Sequence, residues 1–275
     1  MKCINAKFQP KAGFEVDCGK CYACAQKRIS DWTTRLHFES LHSYYPPLFL
    51  TLTYATKNLK TTARAGRYAT LCKRDLQTFF KRLRKLERKQ NNNRDIRYLA
   101  CGEYGTKNKR PHYHVLVFNV QRENIIPAWS LGNAPIGQVY FGDCSGKSAA
   151  YTVGYTLSVE ANRTHVVRYH LQKEFKLFSK GLGSQYVTST AAISHNRRGA
   201  EGHYVTIDGQ RKRMPRYYTD RIYTPTNKVK LKEDLKAKFD QEEKIILSLK
   251  QQKDANHESA RKLKQKRKEC GATAL

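Results

Sequence analysis

The chain has 275 residues, with 52 Lys plus Arg against 23 Asp plus Glu, a formal charge of +29. That length carries one large domain, or one domain with an appendage, and so large a charge selects polyanionic partners, nucleic acid before an anionic membrane surface. No apolar run approaches a membrane span, Met1-Lys-Cys-Ile-Asn lacks a signal-peptide core, and eight Cys without an export signal argue for reduced thiols and metal binding over a disulfide framework.

The first elements are rich in thiols and arginine. Cys18-Gly-Lys-Cys21-Tyr-Ala-Cys24 spaces three thiols at two-residue gaps, with Cys3 placed to return as a fourth ligand. Such spacing suits tetrahedral structural zinc (Zn2+). An iron–sulfur cluster, or three unbound thiols near a helix start, are the alternatives. Ala25 to Ser43 reads as an amphipathic helix, with Ile29, Trp32 and Leu36 at helical spacing. Its Arg28 and Arg35 are candidates for phosphate contacts, against the plainer reading of a solvated basic face. Pro46-Pro47 ends this helix. Leu48 to Tyr54 is then a buried strand with Thr51 and Thr53 on one face. A basic loop over Lys57 to Tyr68 leads to a second helix, Asp75 to Arg88. Leu76, Phe79, Phe80, Leu83 and Leu86 form its apolar stripe, and Lys81 and Arg84 belong to its basic exposed side.

The centre of the chain carries the most informative pattern. Arg97 to Cys101 is a β-rich run, and Arg110-Pro-His-Tyr-His-Val-Leu-Val-Phe118 is a strand by alternation. Gly102, Gly105, Lys107, Asn108 and Lys109 read as the hairpin connection between them. His112 and His114 share parity, so their imidazoles point the same way. Pairing the strands brings Glu103 beside them. Two imidazoles and one carboxylate, with coordination positions left over, suit a catalytic divalent cation rather than a closed structural site. By itself a His-x-His pair on a strand is more often two half-exposed histidines.

Asn124 to Trp129 follows as a short helix interrupted at Pro127, and Gly137 to Phe141 as a further strand. Ser145-Gly-Lys-Ser148 lacks the upstream glycine of a phosphate loop, which excludes that motif; it starts the next helix instead. There Tyr151 and Tyr155, four residues apart, put both hydroxyls on one helical face, a catalytic pair or ordinary aromatic packing. His203 to Ile207 and Arg211 to Tyr218 flank the turn Asp208-Gly209, and Arg211, Arg213 and Arg216 make that hairpin a candidate DNA-contacting surface. The alternation of elements around an antiparallel hairpin gives an α+β class. The expected organisation is a Cys-rich segment with the first helix over 1–45, a catalytic domain over 46–224, and a charged helical or disordered tail over 225–275.

A metal site, nearby tyrosine hydroxyls and a basic surface fit one reaction class, attack of a tyrosine oxygen on a phosphodiester. A second tyrosine on the same face would permit a second cleavage while the first adduct persists. The sequence resembles the replication initiation proteins of small single-stranded DNA phages of the microvirus group, in particular the gokushovirus-like branch, which belong to the HUH endonucleases (His, hydrophobic, His). The resemblance rests on Cys18-Gly-Lys-Cys21-x-x-Cys24 with Arg28 and Trp32, Phe49 to Tyr54, Gly102-Glu-Tyr-Gly105, Arg110-Pro-His-Tyr-His114, Tyr151-x-x-x-Tyr155 and Pro215-Arg-Tyr-Tyr218. It covers most of residues 1–220.

The resemblance implies a Rep-type fold, a central antiparallel sheet flanked by helices. It implies His112 and His114 as ligands of Mg2+ or Mn2+, Glu103 as the acidic ligand, and Tyr151 and Tyr155 as paired nucleophiles. It further implies nicking and rejoining of origin and single-stranded DNA in rolling-circle replication, in the host bacterial cytoplasm alongside host helicase and polymerase. One departure stands out. Relatives often carry a Lys shortly after the second tyrosine, where this chain has Thr156, Leu157 and Ser158; Lys147 is a candidate for the missing charge. Rival readings are another HUH enzyme, a relaxase or transposase, and a non-catalytic zinc-stabilised nucleic-acid-binding protein.

Overall fold

The computed structural model describes residues 3–10, 14–62, 68–142, 154 and 164–238, with isolated positions beyond. Two compact units emerge, one formed by Met1–Thr188 with Tyr204–Asp220 and the other by Ser189–His203 with Arg221–Leu275.

The first unit begins with a small hairpin, β1 (Lys7–Gln9) and β2 (Phe14–Val16), followed by α1 (Tyr22–Leu41). Next come β3 (Leu48–Thr53), α2 (Lys73–Lys89), β4 (Arg97–Tyr104) and β5 (Pro111–Phe118). A short α3 (Ile125–Ala128) and a two-residue pair, β6 (Ser130–Leu131) with β7 (Ala134–Pro135), lead to β8 (Val139–Gly142). After α4 (Thr164–Arg168) comes β9 (Phe175–Phe178). Five of these strands form one antiparallel sheet in the order β8-β3-β5-β4-β9. The class is therefore α+β, with a five-stranded antiparallel sheet at its centre.

Strand alternation divides this sheet into two different faces. Leu50, Leu52, Ala100, Tyr113, Val115 and Val117 point to one side and pack with Leu76, Phe79, Phe80 and Leu83 of α2. These are the stripe residues that helical periodicity picks out, and all four are essentially inaccessible. The opposite face has a smaller core in which Leu99, Leu116 and Phe118 meet Leu36 of α1 and Leu182, with Ile29, Trp32 and Phe49 around them. That second core covers only the end of the face formed by the start of β4 and the end of β5. The other end is left to the polar residues Thr51, Thr53, Glu103, His112 and His114.

The strand β4 runs three residues further than its β-rich run indicates. Gly102 and Glu103 lie inside it rather than in the turn. Gly102 is needed there because a Cβ would come within 3.0 Å of the Phe175 ring and 3.1 Å of Leu71. The reversal itself is made over 105–110, with Lys109 at φ +50 and its N–H donating to the Gly105 carbonyl.

The Asp208-Gly209 hairpin forms as β10 (Tyr204–Ile207) and β11 (Gln210–Arg213). Its second arm is shorter than the sequence reading over Arg211 to Tyr218. Pro215 has no N–H to donate to a ladder, and Arg216 opens a helix, Arg216–Ile222, instead.

The second unit contains α5 (Ser189–Arg198) and a helical run over 225–238. Within it, buried His195 donates from Nδ1 to the Gly202 carbonyl at 2.8 Å, and Asn227 donates to Asn196 Oδ1 at 2.7 Å. No helix among the described residues is long and apolar enough to cross a membrane.

Candidate metal centre

The register of the central strands assembles the site. Glu103 is paired with His112, Cys101 with His114, Thr53 with His112 and Thr51 with His114. Directly paired residues share a face, so the carboxylate, both imidazoles and both threonine hydroxyls meet on one patch. Glu103 Oε1 lies 2.7 Å from His112 Nε2 and 3.0 Å from His114 Nε2. The three ligand atoms lie within 4.8 Å of one another.

The outer nitrogens fix the rings. His112 Nδ1 donates to the Arg110 carbonyl at 3.1 Å, since a carbonyl only accepts. His114 Nδ1 lies 3.0 Å from Thr51 Oγ1, and the Phe49 ring stacks on the imidazole with centroids 5.8 Å apart. With the proton on Nδ1, each neutral ring presents the Nε2 lone pair to the shared centre. Such outer partners set the tautomer of metal-ligating histidines.

The electrostatics match a cation site. Burial pushes the Glu103 carboxyl up, but hydrogen bonds and charge from His112 and His114 outweigh it and hold the carboxyl below its ordinary value. Burial pushes His112 down, and the hydrogen bonds to Glu103 and the Arg110 carbonyl outweigh that, so this imidazole binds a proton more tightly than usual. Without a cation, the proton on His112 Nε2 bridges to the carboxylate. A divalent metal between the same atoms replaces that proton with a charge better matched to one carboxylate and two lone pairs. The donor set therefore fits a divalent cation with open positions. Cys101 also faces this patch, but burial pushes its thiol up to about 12, which keeps it protonated and out of the donor set.

Two residues of this patch escape sequence patterning. The row through His114 continues across β3 to Tyr140 and across β4 to Lys176, both exposed. Each lies two strands from His114, roughly 10 Å at the usual strand spacing. Only the register reveals either one. A cavity of about 350 Å³ bounded by Thr53, Lys57, Arg110 and Gln138 adds two cations beside the His112 end.

The other sequence candidates are placed as follows. Tyr151, Tyr155 and Lys147 lie outside the described residues. Lys81 is exposed on α2, and Arg84 lies 5.9 Å from the Tyr98 ring centre. Arg28 donates to the Gly19 carbonyl. Arg35 donates to the Leu182 carbonyl at 3.0 Å, its guanidinium between the Trp32 and Tyr217 rings at 4.3 and 3.8 Å. Arg213 pairs with Asp31 at 2.5 Å, Arg216 with Asp220 at 3.5 Å, and Arg211 lies over the Tyr204 ring. None of these arginines joins the metal cluster. Cys3, Cys18, Cys21 and Cys24 form a separate cluster with sulfurs within 4.8 Å of one another. Hydrogen bonds from the Lys20 and Cys21 backbone lower the Cys18 thiol. That from the Cys24 backbone brings Cys21 down to about 6, while burial pushes Cys24 up to about 12.

A two-histidine, one-carboxylate cluster on an antiparallel sheet defines a candidate metal centre in an α+β protein. Comparison with known proteins narrows the class. Residues 47–160, which span the centre, match the family model of replication-associated proteins of the ORF2 type. Three viral proteins are similar over much of the chain. Replication-associated protein VP4 of Bdellovibrio phage phiMH2K is 28% identical over 230 residues, 76% of this chain and 68% of that protein. Replication-associated protein ORF2 of Spiroplasma virus 4 is 28% identical over 189 residues, 62% of this chain and 56% of that protein. Replication-associated protein ORF4 of Chlamydia phage 1 is 27% identical over 234 residues, 75% of this chain and 53% of that protein. The matched part thus spans little more than half the length of the last two. No solved structure matches the chain. Together the family model and these relatives support a phage replication initiator.

Proposed function

We propose that this chain is a rolling-circle replication initiator of the HUH endonuclease type, which nicks phage DNA at the origin and later rejoins the strand. The observation that carries the reading is the Glu103, His112 and His114 cluster, two imidazoles and a carboxylate converging on one face of an antiparallel sheet. Replication-associated relatives and a +29 chain support DNA as the substrate.

In the proposed reaction a tyrosine oxygen, from Tyr151 or Tyr155, attacks the phosphorus of a phosphodiester. The new O–P bond forms as the bond to the 3′ oxygen breaks, and the 3′ hydroxyl leaves carrying a proton in place of the tyrosine's. The 5′ end stays linked to the protein, so its bond energy is kept for rejoining. When bound, Mg2+ or Mn2+ supplies Lewis-acid polarisation of a non-bridging phosphate oxygen. Glu103, His112 and His114 hold the cation; Arg110 and Thr51 orient the rings. Lys176 supplies the positive charge that this chain lacks after Tyr155, and Lys57 and Arg110 grip the neighbouring phosphate. The working location is the host bacterial cytoplasm, with host helicase and polymerase extending the nicked strand.

The test replaces both ligands, His112→Ala with His114→Ala. The variant should bind origin-derived single strands as wild type does, yet cleave none of them in Mg2+ or Mn2+. Unchanged cleavage would remove the metal centre from the mechanism. Binding without cleavage by wild type on every origin fragment would leave a non-catalytic DNA-binding protein.

A further inference from the structure

The amino-terminal segment has an order that its own packing does not explain. Among the described residues from 3 to 22, no side chain is buried, and Ile4, Phe8 and Tyr22 are 80%, 65% and 69% exposed. The hairpin β1–β2 has three-residue strands and stands apart from the main sheet. A two-stranded ribbon without a core is at best marginal in water, and segments of this size need a crosslink, a metal or a partner to hold shape.

The four cysteines meet at the place where such a crosslink would act. Cys21 Sγ lies 3.7 Å from Cys3 Sγ and 3.5 Å from Cys24 Sγ, and Cys18 Sγ lies 4.0 Å from Cys24 Sγ. These separations are far too long for disulfide bonds, which measure about 2.05 Å, and all four thiols are free. They match something else. Four sulfurs each about 2.3 Å from a central zinc stand about 3.8 Å apart along the edges of a tetrahedron. A four-iron cluster would need a wider cage than sulfurs all within 4.8 Å of one another provide.

The backbone around the sulfurs is arranged for anionic ligands. The Cys18 N–H points at Cys3 Sγ at 3.2 Å, and the Lys20 and Cys21 N–H groups both point at Cys18 Sγ at 3.4 Å. Gly19 makes this turn possible at φ +73, a conformation that costs a side-chain-bearing residue. N–H groups directed at sulfur partly neutralise the charge of a tetrathiolate, and Arg28, bonded to the Gly19 carbonyl, lies against the same turn.

We infer that Cys3, Cys18, Cys21 and Cys24 form a closed structural zinc site that clasps the β1–β2 hairpin onto the start of α1. The site is independent of the Glu103 centre and of the proposed nicking. Zinc binding releases the thiol protons and involves no redox step. Folding of residues 3–24 is then coupled to the metal, as in small zinc-dependent modules.

The experiment uses the full chain without a metal-binding tag, grown with zinc and passed over gel filtration with a mild chelator. Elemental analysis should find one zinc per chain, retained in the His112→Ala/His114→Ala variant and lost in Cys18→Ser/Cys21→Ser. Replacing zinc with cobalt should give the intense near-ultraviolet thiolate-to-cobalt absorption of a tetrahedral sulfur site. Limited proteolysis after zinc removal should cut within residues 3–24 while the fragment containing residues 48–142 persists. Iron in place of zinc, thiols recovered as disulfides, or a metal-free chain with residues 3–24 still protected would each overturn the inference.

Discussion

Thr51→Val isolates the outer support of the metal centre. The substitution keeps the branched shape and suits a strand, so the pairing of β3 with β5 and β8 is retained. What it removes is the oxygen 3.0 Å from His114 Nδ1. The imidazole then loses the partner that holds its proton on Nδ1, while Phe49 still stacks on the ring. Loss of one such partner commonly weakens a metal site by about 10- to 100-fold, or about 1.4–2.8 kcal/mol of binding free energy. Calorimetric titration with Mn2+ at neutral pH, on wild type and variant with matched melting temperatures, reads this directly. An affinity within about threefold of wild type would refute the argument that Thr51 sets the His114 tautomer.

Three other consequences can be checked with purified protein. Lys176→Ala should slow origin cleavage while leaving Mn2+ affinity unchanged, because Lys176 stands in the His114 row but outside the donor set; parallel loss of metal binding would place it elsewhere. Leu50→Ala, at a fully buried position between the α2 stripe and the sheet, should cost about 2–5 kcal/mol in denaturant unfolding, and a cost under about 1 kcal/mol would contradict the packing. The metal-free protein should also show a pH signature. His112 is raised above 6.5, so its pairing with Glu103 stabilises fully below that value and is lost as pH rises through the raised one. Glu103 is lowered from 4.5, so its contribution is present above that value and lost as pH falls through the lowered one. The melting-temperature difference between wild type and Glu103→Gln in chelator should therefore peak between 4.5 and 6.5 and shrink toward alkaline pH. A difference that grows with alkalinity would reverse the assignment.

Much of the site was legible because strand parity is a strict rule. His112 and His114 must share a face, and a hairpin between β4 and β5 must bring Glu103 near them. The α2 stripe was legible for the same reason at helical period. What stayed hidden depends on pairings distant in sequence. Lys176 and Tyr140 become neighbours of the centre only through the order β8-β3-β5-β4-β9. β9 itself is four residues, Phe175-Lys-Leu-Phe178, too short for alternation to separate from a loop. α5 was missed because Ser189–Arg198 has no apolar stripe, and its one buried side chain is His195. Gly102 read as a turn because glycine favours turns, whereas here it makes room for Phe175. Arg35 looked available for phosphate, but its guanidinium is held between two aromatic rings.

The measurement closest to the central claim is a denaturing gel of the full chain with labelled single-stranded oligonucleotides tiling a candidate phage origin, in Mn2+, Mg2+ or chelator. The account predicts a metal-dependent protein–DNA adduct that survives denaturation, maps by peptide analysis to Tyr151 or Tyr155, and is absent from the Tyr151→Phe/Tyr155→Phe double variant with DNA binding preserved. An adduct of equal yield in that double variant, or cleavage unaffected by chelator, would contradict it.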